Sequence, residues 1–167
     1  MILISAKAAE LKAPIVVVEK DQLSEEAQAL LTNKEIYIIG GDSCVSNAVK
    51  AELDKVDLNK DCERVYGLNR KETNAKVINT FYNAEEVSEL FVAKDGYVGG
   101  NDKLVDALAA APLAASKLSP ILLTTDGLNE LQEDSLDKLN KVEKITKVGN
   151  GISENTIEVM IDLLKNK

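Results

Sequence analysis

Short runs of β-branched and aliphatic residues alternate with longer amphipathic segments along the chain, and this alternation is the strongest constraint on its fold. Strands are expected at 15–19 (IVVVE), 35–39 (EIYII), 64–67 (RVYG), 90–93 (LFVA), 120–124 (PILLT) and 144–148 (KITKV). Helices are expected at 3–12, 23–32, 44–55, 70–81, 101–118, 128–140 and 153–165. A strand that is apolar on both sides has no face to show to water. It belongs in a parallel sheet covered on both faces by helices, which makes the expected fold class α/β.

The alternation also repeats. Residues 8–17 read AAELKAPIVV and residues 114–123 read AASKLSPILL, each an alanine-rich helix end, a proline and an apolar strand. Each copy continues through a helix to a strand ending in glycine (IYIIGG, ITKVGN). A hydrophobic-Ser pair, Val45-Ser46 or Ile152-Ser153, then opens a final helix. Ser46 lies 32 residues after Pro14 and Ser153 lies 33 after Pro120, so five features recur in order at matched spacing. Such repeats mark modules that associate with one another. Residues 63–119 have no counterpart ahead of the first copy, so the chain reads as the back half of one module followed by one complete module.

Composition narrows the chemistry. Among 167 residues there is no histidine, which removes His-based triads, His general bases and the commonest zinc ligand. With no Trp, four Tyr and two Phe, a wall of aromatic platforms for bases or sugar rings is not expected. The net charge of −8 argues against nucleic acid, since there is no basic surplus to neutralise phosphates. No stretch has the length of a transmembrane span, and the N-terminal residues lack the pattern of a signal peptide. Cys44 and Cys62 match no zinc or redox motif. They read as separate thiols or a disulfide, and Cys44 lacks a histidine to serve as its base. Neither a calcium loop nor a GxGxxG or GxxxxGK[ST] phosphate loop is present, and no metal or cofactor is expected.

The complete module carries RVYGLNRKETN at 64–74, then DAL at 106–108 with AAAPLAA at 109–115, then PILLT at 120–124. This resembles the type-2 cell-wall-binding repeat family of Gram-positive surface proteins, whose pattern runs R-[IV]-x-G-x-x-R-x-x-T, D-A-L with a small-residue helix, P-I-L-L, V-G-G and an I-S or V-S helix start. Departures are mild: Val148-Gly149-Asn150 stands for V-G-G, and Pro14-Ile15-Val16-Val17 for P-I-L-L. The resemblance implies Rossmann-like α/β modules, the C-terminal half of one at 1–62 and a complete one at 63–167. It further implies packing with other modules in a pseudo-threefold assembly. The implied role is a secreted, non-enzymatic anchor that binds an anionic cell-wall polysaccharide and attaches a surface or S-layer protein to the wall.

The residues themselves suggest where an anion would sit. There are 18 Lys but only two Arg, Arg64 and Arg70, and both fall in residues 63–119, the segment closest to neutral, with 7 basic and 8 acidic side chains. The guanidinium fork recognises phosphate or carboxylate bidentately. Asn69 and Glu72 have capping-box spacing, which would set Arg70 at a helix N-terminus beside free N–H groups, with Thr73 nearby. The competing reading is that the arginines brace a carboxylate such as Asp106. Thr124, Thr125 and Asp126 follow a strand, where the crevices of α/β sheets lie, or else make an ordinary turn. The structural positions expected are Asp106, Pro120, Gly40 and Gly149. Gly40-Gly41, Gly99-Gly100 and Gly149-Asn150-Gly151 read as tight turns or phosphate cradles.

The leading expectation is thus the wall anchor. Alternatives are a Rossmann-like protein binding a nucleotide or phosphate metabolite, and a module whose main role is structural, in an S-layer.

Overall fold

The computed structural model describes residues 4–96 and 104–165. Among them the order is α1 (Ser5–Leu11), α2 (Glu25–Leu31), β1 (Tyr37–Ile39), α3 (Asn47–Val56), β2 (Glu63–Val65), α4 (Arg70–Phe81), β3 (Glu89–Ala93), α5 (Val105–Ser116), β4 (Ile121–Leu123), α6 (Glu130–Lys138), β5 (Lys144–Val148) and α7 (Glu154–Lys165). The fold is α/β, as the alternation requires. Gly99-Gly100 and the expected helical residues 101–103 lie outside the described residues.

The larger sheet has the order β4-β3-β5 and is parallel throughout, with β3 in the middle and buried along its whole length. Alternation along β3 and β4 divides the core in two. Phe91, Ala93, Ile121 and Leu123 face Ala107, Ala110 and Ala114 of α5, whose small side chains let helix and sheet approach closely. Leu90, Val92 and Leu122 face the other way, onto Leu136 of α6 and Met160 of α7. Helices therefore cover both faces. Pro112 lies within α5 without ending it. The carbonyl it leaves unpaired is that of Leu108, an exposed residue on the solvent side of the helix.

The outer edge of β4 is closed by side chains instead of a strand. Asn74 of α4 donates to the Ile121 carbonyl at 2.8 Å and accepts from the Leu123 amide at 2.7 Å. Gln132 of α6 donates to the Leu123 carbonyl at 2.9 Å. Both amides are completely buried. Together they supply the bonds of an absent neighbour, which a buried edge requires.

The smaller sheet pairs β1 with β2 in parallel, with Tyr37 opposite Glu63 and Ile39 opposite Val65. Its core gathers Ile36, Ile38, Val49, Leu53 and Cys62. Both cysteines are free thiols, Cys44 exposed and Cys62 buried, and burial pushes the Cys62 thiol up to about 12.

One expected strand does not form. Residues 15–19 form no strand, and among the described residues the backbone of 14–18 makes no hydrogen bond. A strand is a property of a pair of segments, and apolar β-branched sequence cannot supply the partner.

Candidate functional site

The motif from Arg64 to Thr73 is first a local fold. Asn69 caps α4 by accepting from the Glu72 amide at 2.9 Å. The reciprocal half of the expected capping box is displaced by one residue, for Glu72 accepts from the Leu68 amide at 2.9 Å. Gly67 packs so closely on the helix that a Cβ there would lie 2.2 Å from that of Glu72, and its amide donates to Thr73 Oγ1 at 2.9 Å. Thus Gly67, Asn69, Glu72 and Thr73 fix the entry of the chain into α4.

The two arginines go to different sheets. Arg64 lies on β2, where it donates through Nη1 to the Gly40 carbonyl at 2.9 Å. Its Nη2 is buried without a partner in the structure. Gly40 ends β1 with φ of +125°, a conformation that favours glycine. Arg70, at the start of α4, donates to the Asp95 carbonyl just beyond β3.

Around Asp95 the carboxyl ends of β3, β4 and β5 converge. The Asp95 carboxylate is buried; it accepts from the Thr125 hydroxyl at 2.7 Å and lies 3.8 Å from Lys71 Nζ. Lys71 reaches across to donate to the carbonyls of Asp126 and Gly127 at 3.0 and 2.9 Å. Thr124 is fully buried, and its hydroxyl donates to the Gly127 carbonyl at 2.5 Å, so it shapes the turn without a surface to offer a ligand. Thr156 of α7 accepts from the Gly127 amide at 2.8 Å. Beyond β5, Gly149 and Gly151 both have positive φ. The Asp106 carboxylate packs on Gly149, where a Cβ would lie 2.1 Å from Oδ2, and Lys94 Nζ would be 3.2 Å from a Cβ at Gly151. Pro120 precedes β4, and its carbonyl accepts from the Phe91 amide at 3.1 Å.

This carboxyl-edge site therefore gathers Arg70, Lys71 and Thr125 around Asp95, with Lys94 beside Gly151 and Asp106 beside Gly149. It has donors of the kind an anionic group takes, and the Asp95 carboxylate already lies against Lys71. Lys71, Lys94 and Asp95 were not singled out from sequence. Lys71 is adjacent to Arg70, and Lys94-Asp95 directly follows an apolar strand, the position where α/β sheets place ligands. Among the described residues no group of three or more His, Cys, Asp or Glu gathers to hold a metal ion, and no helix is long and apolar enough to cross a membrane.

Comparison with known proteins agrees with this architecture. The family model for cell wall binding domain 2 (CWB2) matches residues 2–50 and 64–157. Among solved structures, Cwp8 from Clostridium difficile superposes with a TM-score of 0.91 at 47% identity over 98% of this chain. Cwp6 from Clostridium difficile superposes with a TM-score of 0.83 at 32% identity, also over 98%. The chain spans 27% and 25% of the lengths of those two proteins. Comparison with curated proteins finds no match. With that family's model matching most of its residues, this chain belongs to the cell wall binding domain 2 family, a cell-wall-associated module.

Proposed function

We propose that the chain is a non-enzymatic anchor that holds an anionic cell-wall polysaccharide non-covalently and so keeps a secreted surface or S-layer protein at the wall. The observation that carries this reading is the family match, which runs through both the half-module and the complete one. The cluster at the carboxyl ends of β3, β4 and β5 supports it with donors of the right kind. Arg70, Lys71 and Thr125 would meet the negative groups of the polymer there. Arg64 would act separately, bracing the Gly40 turn through Nη1 so that the turn faces the polymer, since its Nη2 is buried. Thr73 and Thr124 would hold the turns that present these groups.

Each such contact is weak in water, and a repeating polymer multiplies it. Linking modules makes every binding event after the first intramolecular, so avidity replaces single-site affinity. In that picture residues 1–62 and 63–167 work as part of a larger pseudo-threefold assembly of modules. A chain of net charge −8 can approach a polyanion only where cations are locally concentrated, so binding should weaken as salt rises.

The test is co-sedimentation of the purified chain with wall preparations before and after the anionic polysaccharide has been stripped. Binding that disappears on stripping and falls with added salt is the expected result. Equal binding to stripped walls would overturn the reading.

A further inference from the structure

Three Asp or Asn residues of the chain are followed directly by glycine: Asp95-Gly96, Asp126-Gly127 and Asn150-Gly151. Such a pair is able to close on itself, because the glycine nitrogen is one ring closure away from the preceding side-chain carbonyl carbon and glycine has no Cβ to obstruct the approach. Closure requires a free side chain and a free glycine amide. The structure separates the three pairs on both counts. Asp95 is buried, and its carboxylate accepts from the Thr125 hydroxyl at 2.7 Å. Asp126 is exposed, but the Gly127 amide is held by Thr156 Oγ1 at 2.8 Å. Asn150 and Gly151 are both exposed, and among the described residues neither the Asn150 side chain nor the Gly151 amide makes a hydrogen bond. Lys94 stands at this pair: its Cε and Nζ would lie 3.1 and 3.2 Å from a Cβ on Gly151. Among the described residues its ammonium has neither an ion pair nor a hydrogen bond.

We infer that Asn150 is a self-modification site, converted to a carboxylate by attack of the Gly151 amide beside Lys94. The Gly151 nitrogen gives up its proton to water, bonds to Asn150 Cγ and expels the side-chain nitrogen as ammonia, leaving a succinimide ring. Water then opens one of the imide C–N bonds, and residue 150 becomes aspartate or isoaspartate. The net reaction consumes water and releases ammonia, with no oxidant or cofactor. A neighbouring cation favours the charged form of an acid, so Lys94 promotes both the nitrogen anion and the carboxylate that follows. The new carboxylate in turn neutralises Lys94. That neutralisation falls at the carboxyl edge of the sheet, so the hold on an anionic polymer should weaken as the protein ages. This last consequence rests on the anchor reading; the conversion itself does not.

The test incubates the full chain at neutral and mildly alkaline pH and follows residue 150 by peptide mass mapping, with an isoaspartate-specific methyltransferase reporting on all three pairs. Conversion at residue 150 is expected to be faster at the higher pH, at least several-fold ahead of isoaspartate at 95 and 126, and several-fold slower in Lys94→Gln. Asn150→Gln, whose longer side chain would have to close a larger ring, should keep its mass. No conversion at residue 150, comparable isoaspartate at Asp126, or an unchanged rate in Lys94→Gln would overturn the inference. Sedimentation with wall preparations at low salt reads the consequence, with Asn150→Asp expected to bind several-fold less tightly than Asn150→Gln. Equal binding of the two variants would overturn that consequence. If the unmodified chain also fails to bind walls, the anchor reading falls while the mass measurement still decides the conversion.

Discussion

Pro14-Ile15-Val16-Val17 and Pro120-Ile121-Leu122-Leu123 are two versions of one sequence element, yet only the second becomes a strand. Both follow an alanine-rich helix, and both are apolar and rich in β formers. The second has β3 on one side, and on the other Asn74 and Gln132 pair its Ile121 carbonyl, Leu123 amide and Leu123 carbonyl. The first has neither among the described residues. Ladder hydrogen bonds are the difference between an extended segment and a strand, and they depend on residues far away in sequence. The β4-β3-β5 sheet has two core layers pressed on it, whereas the β1–β2 sheet has a single smaller core.

The sharpest way to break the contrast is to open the buried edge of β4. Asn74→Leu fills the space but leaves the Ile121 carbonyl and the Leu123 amide unpaired in the interior, and should cost about 3–5 kcal/mol in urea unfolding. A loss under 1 kcal/mol would mean that the amide bridge is not what holds the edge.

Matched truncations on the two copies come next. Leu123→Ala should cost about 3 kcal/mol by creating a cavity in the packed layer. Val17→Ala, at a mostly exposed site, should cost no more than about 0.5 kcal/mol. Similar losses in the two variants would erase the distinction drawn here.

A smaller effect separates two positive-φ glycines of the complete module. Gly149→Ala should cost about 2 kcal/mol, since the new Cβ strikes the Asp106 carboxylate in addition to straining the backbone. Gly127→Ala, with open space around it, should cost only about 1 kcal/mol. Thermal melts of the two variants check this order.

The smallest effect is electrostatic. Hydrogen bonds from Lys144 and Thr146 hold the Glu89 carboxyl below the usual carboxylate range. A depressed native pKa gives stability that is present above the unfolded pKa and is lost as pH falls through the native one. Glu89→Gln should therefore cost about 1 kcal/mol at neutral pH and flatten the decline of stability below about pH 4.5, seen by urea titration across pH.

Much of the fold was legible. The expected helix at 70–81 is α4 and the expected strand at 144–148 is β5, because each has a sharp local boundary: a capping asparagine in the first, flanking polar residues and a glycine in the second. Other elements were expected a few residues longer than they are, as at 101–118 against Val105–Ser116, since periodicity continues where hydrogen bonding stops. The site was less legible. Arg64 and Arg70 stand six positions apart and both read as anion contacts or carboxylate braces, but β2 ends between them. Arg64 therefore goes to the β1–β2 sheet and Arg70 to the end of β3. Asp106, a candidate partner for the arginines by sequence, packs on Gly149.

Sequence by itself determined the alternation of elements, the recurrence of one spacing after Pro14 and after Pro120, and the absence of histidine chemistry. These are local or additive properties, readable from spacing and composition. Tertiary structure decided which apolar runs found partners, which polar residues turned inward to close an edge, and which cations met at one end of a sheet. Those outcomes depend on hydrogen-bonding groups brought together from distant parts of the chain, so similar apolar sequence is a buried strand beside β3 and, at 14–18, a segment without backbone hydrogen bonds among the described residues.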